Sequence, residues 1–207
     1  MNRTCQRAIA PLILTATLAG AGYAAPISFV FTWNAVNGGT LGGSAFGVSD
    51  LRFTGIADTD DINVVSASFE TLDLEDAVLE IVGFATVEIL DAQQVFFNEV
   101  GDVIGLRQVG GGNVVSATEP DLAGYGLNTA VGPLPDSYSF SGWDDISTSS
   151  GSLTMPGGVS PGTFEAIAGA VTLPSISAPI PLPAGGMLMG GALVGCMALF
   201  RRRGNPT

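Results

Sequence analysis

The sequence predicts an all-β fold, an antiparallel β-sandwich or meander with a jelly roll among its variants. Three observations lead there. Glycine supplies 29 of 207 residues, charged residues only 13%, and lysine is absent, so the charged residues that cover helical bundles are missing. Apolar residues reach 46%, enough for a core. They come in short β-branched and aromatic runs separated by Gly and Asn, and several such runs at near-regular spacing point to stacked antiparallel strands.

Residues 29–33 (FVFTW) favour strand throughout. Residues 51–54 (LRFT) alternate apolar and polar, and 62–69 (INVVSASF) read as one further strand. Gly38-Gly39 and Gly42-Gly43 punctuate as turns. The run 72–82 (LDLEDAVLEIV) fits two periods. Leu74, Val78, Ile81 and Val82 share a helical face, but the run is short, and strands are expected there after at most one helical turn. Residues 110–113 (GGGN) form a loop. Residues 138–143 (YSFSGW) echo 28–33 (SFVFTW) and predict a strand, and 163–168 and 169–173 predict the closing strands. Trp33 and Trp143 both lie in apolar strands and are expected as core anchors; on the surface they would stack on sugar rings instead. The domain so read covers 25–174, and 175–183, with Pro179, Pro181 and Pro183, reads as a linker.

The charge is unevenly placed. All 19 acidic residues fall between Asp50 and Glu165, where only Arg52 and Arg107 oppose them, so this part carries −17. Such a surface repels phosphate backbones, and nucleic acid is not expected as a partner. Histidine is absent, which excludes Ser-His-Asp triads and His-ligated metals. The lack of lysine removes Schiff-base and Ser–Lys chemistry, and Cys5 and Cys196 both lie in the terminal segments. No phosphate-binding loop or dinucleotide fingerprint occurs. A carboxylate pair remains as a means of acid–base catalysis, but 19 acids supply some such pair by chance, so the protein reads as noncatalytic. Asp58, Asp60, Asp61 and Asn63 (ADTDDIN) form a weak calcium candidate. Ile62 occupies a position where an EF-hand loop needs an oxygen ligand, and the loop's Gly and Glu are missing. Asp144-Asp145 is a weaker second candidate. No other metal or cofactor is expected.

The two ends carry an address. Arg3 and Arg7, the apolar run 8–21, and small residues up to Ala24 and Ala25 make a secretory signal peptide, 1–24, cut after Ala24; a cut after Ala25 would place Pro26 at the scissile bond. Export through the Sec translocon follows. At the other end 184–200 is uncharged and as a helix would rise about 26 Å, at the short end for a bilayer core. Arg201, Arg202 and Arg203 stop it, with 201–207 on the cytoplasmic side and the body outside.

Prolines, a short apolar helix and an arginine cluster together resemble the PEP-CTERM sorting signals of Gram-negative bacteria, and within them the VPLPA-CTERM variant. The matching residues are Ile180, Pro181, Leu182, Pro183 and Ala184, the run to Phe200, and Arg201 to Arg203. Leu182 stands where the main type has Glu, as in the variant, and Ile180 where the variant has Val. The resemblance covers about 28 residues. It implies recognition and cleavage by an exosortase in the inner membrane, then release to the cell surface or extracellular matrix, with a link to exopolysaccharide and biofilm. The body is then expected to be a surface or matrix protein. The alternative is an adhesin-like module binding glycan or calcium.

Overall fold

The computed structural model describes residues 25–141 and 143–177; the expected signal peptide 1–24, the expected sorting motif 180–184 and the expected membrane helix 184–200 with its basic tail lie outside them. Among the described residues no helix is long and apolar enough to cross a membrane. Their regular structure is almost entirely strand, so the body is all-β. In chain order the strands are β1 (Pro26–Val36), β2 (Gly39–Leu41), β3 (Ser44–Phe46), β4 (Ser49–Asp58), β5 (Ile62–Ser66), β6 (Phe69–Asp73), β7 (Asp76–Ile81), β8 (Ala85–Glu88), β9 (Gln93–Asn98), β10 (Val103–Gln108), β11 (Asn113–Thr118), β12 (Val131–Phe140), β13 (Trp143–Thr148), β14 (Gly151–Met155) and β15 (Gly158–Ala168). Single 3-10 turns occupy Thr59–Asp61 and Pro120–Leu122.

Eleven strands form one curled antiparallel sheet in the order β5-β6-β9-β10-β11-β12-β15-β1-β4-β7-β8, and four form a smaller sheet in the order β13-β14-β2-β3. β1 lies inside the large sheet, with Phe31 opposite Phe164 of β15 on one side and Phe53 of β4 on the other. Alternation decides which side of β1 is core. Ile27, Phe29, Phe31 and Trp33 point inward, all at most 2% exposed. Their cluster also takes in Leu72, Val95, Phe97, Ile104 and Leu106 from the far wing and Leu41, Trp143, Ile146, Leu153 and Met155 from the small sheet. The sheet therefore curls around a single core, and the link from β6 to β7 crosses between its wings. Leu74 packs against Gly55 there, and the Glu75 N–H donates to the Ile56 carbonyl at 2.8 Å.

The center is aromatic. Trp33 lies 5.9 Å from Phe31, 5.3 Å from Phe140 and 6.3 Å from Trp143, ring center to ring center. These separations suit stacked and edge-to-face contacts. Gly162, paired with Trp33 in β15, is needed for this approach, because any side chain there would collide with the Thr32 carbonyl.

Three sequence expectations are corrected. Residues 62–69 make two strands, since the chain turns at Ala67 and Ser68 so that Ile62 pairs with Leu72. Residues 138–143 are divided as well: Phe140 ends β12 in the large sheet, and Trp143 opens β13 in the small one. In 72–82 no helical turn forms. Asp73 ends β6 and Asp76 begins β7, because both flanking runs find long-range strand partners, which outweigh a weak local helical preference.

The stretch 169–177, expected as a closing strand and the start of a linker, is instead a strap. The Ser28 hydroxyl donates to the Gly169 carbonyl at 2.8 Å and accepts the Val171 N–H at 2.9 Å. Ser177 pairs with Thr86 on β8, its N–H donating to the Thr86 carbonyl at 2.8 Å and its carbonyl accepting the Thr86 N–H at 3.4 Å. Ser28 is on the outer face of β1, and β4 and β7 lie between β1 and β8. Six residues must therefore bridge a diagonal of roughly 20 Å, close to the reach of extended chain at about 3.3 Å per residue. Along that diagonal sit Val30, Thr54 and Val78, mutually paired outer-face residues that are each at most 4% exposed. The path between the two anchors runs over this row.

The strap also helps close one edge of the large sheet. Further along β8 the Ser149 N–H donates to the Glu88 carbonyl at 3.0 Å, and the Ser149 hydroxyl accepts the Glu88 N–H at 3.1 Å. The opposite edge, β5, is guarded differently. It is five residues long, irregular between Val64 and Ser66, and preceded by Asp58, Asp60 and Asp61. Short, bulged and charged edges resist pairing with other chains.

Candidate functional site

The calcium candidate lies where β4 ends. Asp58 caps the Thr59–Asp61 turn, its carboxylate accepting the Asp60 N–H at 2.9 Å. Asn63 is exposed on the edge strand β5. The Asp58 carboxylate is thus already engaged by backbone, and among the described residues no three acidic side chains gather closely enough to hold a metal ion. Millimolar calcium is expected to leave the melting temperature unchanged. A rise of several degrees would restore the candidate. Asp145 accepts the Ser152 hydroxyl at 2.5 Å across β13 and β14, a structural hydrogen bond.

Trp33 and Trp143 are buried, at 0% and 3% exposure, so neither offers a ring for a sugar to stack on. Of the residues expected to take part in processing, Ala25 is described. Its carbonyl accepts the Thr59 N–H at 3.4 Å and the Thr59 hydroxyl at 3.1 Å. Ala24, Ile180, Pro181, Leu182, Pro183, Ala184, Arg201, Arg202 and Arg203 lie outside the described residues.

One cluster was not expected from sequence. On the inner face of the sheet, Ala117 of β11, Ile104 of β10, Phe97 of β9 and Glu70 of β6 form one row. Glu119 lies two residues beyond Ala117 and so shares its inward direction. β11 and β12 pair with Val115 opposite Phe140, a register that brings Glu119 toward Asp136, with Tyr138 beside them. Glu119 is 5% exposed and its Oε1 has no hydrogen-bond partner. The Tyr138 hydroxyl, fully buried, has none either. Burial first, then the charges of Asp136 and Asp121, push the Glu119 carboxyl up to about 7. Burial and the same acidic neighborhood raise the Tyr138 phenol.

Glu119 stands at the neck of a plug, the 119–130 segment, which fills the space beside this row with Leu122, Tyr125 and Leu127, all buried. The Tyr125 ring packs 5.8 Å from Phe97 and 6.4 Å from Phe164, and its hydroxyl donates to the Thr129 carbonyl at 3.1 Å. Glu119 looked from sequence like one more surface acid. The Ala117–Glu119 alternation was the available signal, but only the pairing of β11 shows which phase is buried.

Among the described residues two further concavities are small. One of about 80 Å³ lies by Phe140 and Ser160, and an open cleft of about 190 Å³ lies by Phe84 and Ser177. Neither has two facing carboxylates among its lining residues. Comparison with protein-family models, curated proteins and solved structures finds no match to this chain.

Proposed function

We propose that this is a noncatalytic surface or extracellular-matrix protein, exported by its signal peptide and sorted by its VPLPA-type signal through an inner-membrane exosortase. The body would be a sandwich-like module exposed in, or contributing to, an extracellular polysaccharide layer. The observation that carries the proposal is the three-part C-terminus, Ile180–Ala184 followed by an uncharged run and Arg201 to Arg203, opposite an export signal at the other end. Buried tryptophans favor this reading over a glycan-stacking module.

Fractionation of the native host with intact-mass measurement tests the proposal. The expected surface species starts at Ala25 and has lost Arg201 to Arg203. A surface species that keeps those arginines would overturn it.

A further inference from the structure

We propose that the 119–130 segment is a proton-operated plug, seated while Glu119 carries a proton and released when Glu119 ionizes. Geometry carries the inference. The Glu119 side chain is buried with an unpartnered oxygen, and among the described residues no cation offsets its charge. The groups around it are acidic or phenolic from every side: Asp121 from the plug itself, Asp136 and Tyr138 from β12. At the neck, the Glu119 N–H donates to the Asp102 carbonyl at 2.7 Å, which brings in the loop of yet another acidic residue. Of the two arginines in the body, Arg107 donates to the Gly111 carbonyl at the other end of β10 and lies over Phe69, and Arg52 is on the outer face of β4.

The plug meets a carboxylate on its other side too. Glu70 lies against Gly126 with a buried, unpartnered Oε2. The remaining plug hydrogen bonds are internal: Leu122 to Glu119, Tyr125 to Leu122, and the Tyr125 hydroxyl to Thr129. What seats the plug is therefore apolar packing of Leu122, Tyr125 and Leu127, and what opposes it is the Glu119 carboxylate when it ionizes unpaired in a low-dielectric setting.

The sign follows from linkage. The seated plug holds the Glu119 proton more tightly than the released one, where the group reverts toward an ordinary carboxylic acid near 4.5. Seating is thus fully favored below about pH 4.5 and weakens as pH rises, with the loss complete above about 7. Between pH 5 and pH 8 the opening equilibrium is expected to rise roughly 70-fold.

Hydrogen exchange on the full chain, expressed as protection factors at pH 5 and pH 8, tests this. Amides of 119–130 should lose protection by tens of times while those of β1 and β4 keep theirs. Glu119→Gln should hold the plug seated at pH 8, and Asp136→Asn should lower the midpoint and shrink the change. Equal protection at both pH values in the wild type would overturn the proposal, as would an unchanged pH response in Glu119→Gln.

Discussion

Trp33→Ala is expected to lower stability by about 4 kcal/mol and the melting temperature by roughly 10 °C, the largest effect of any single truncation in the body. The indole is fully buried and touches Phe31, Tyr138, Phe140 and Trp143 with ring centers 5.3 to 6.3 Å away. It joins the large sheet to the small one through Trp143, so its loss leaves a cavity bounded by two sheets that cannot collapse independently. Trp33→Phe separates the volume term from the polar one. The indole N–H is buried without a partner, so removing it relieves a desolvation cost, and Phe should cost no more than about 2 kcal/mol. Thermal melts of the two variants check this. A Trp33→Ala penalty under about 1 kcal/mol would mean that the two sheets are not packed through this ring.

Release of the strap is the second large effect. Ser28→Ala removes a fully buried hydroxyl and leaves the half-buried Gly169 carbonyl and Val171 N–H without it, at a cost of about 1–3 kcal/mol. Ser177→Pro removes the N–H that donates to Thr86 at the other anchor and is expected to cost about 1 kcal/mol. The strap is held by these two anchors, and losing either is expected to free it. The double variant should then cost little more than Ser28→Ala alone, and a double-mutant cycle measures that coupling. Full additivity would show that 169–177 holds on at each end independently. Exposure of the Val30, Thr54 and Val78 row should accompany release, seen as increased binding of an apolar dye.

The strap bears on the sorting proposal. Its last anchor, Ser177, lies three positions before Ile180. If an exosortase cuts near the proline motif, the strap stays with the mature body and still helps close the β8 edge. This would matter for a protein concentrated at a surface, where a bare sheet edge invites pairing between copies.

Much of this was readable in the sequence, and the physical reasons differ by feature. The all-β class followed from composition and from runs such as FVFTW, because strand preference is local and alternation over a few residues is enough to register it. The burial of Trp33 and Trp143 followed from the apolar strands around them. The turn at 67–68 was missed because two small residues without Asn-Gly chemistry have no strong local signature, and the passage from β12 to β13 because membership of a sheet is set by distant partners. The strap was missed because its residues pair with nothing nearby in sequence: Val171 finds Ser28 at a separation of 143 residues.

By itself, then, the sequence determined the class of fold, the acidic character of the body, the exclusion of histidine and lysine chemistry, and the proposed address at both ends. These depend on composition or on contiguous residues. Only the tertiary structure decided the strand order, the closing of the β8 edge by Ser177, and the placing of Glu119 inside while 18 other acids in the same chain looked identical. Such properties arise from contacts between distant segments. Whether a carboxylate is solvated or buried depends on which phase of its strand another strand covers, and neighboring residues do not encode that choice.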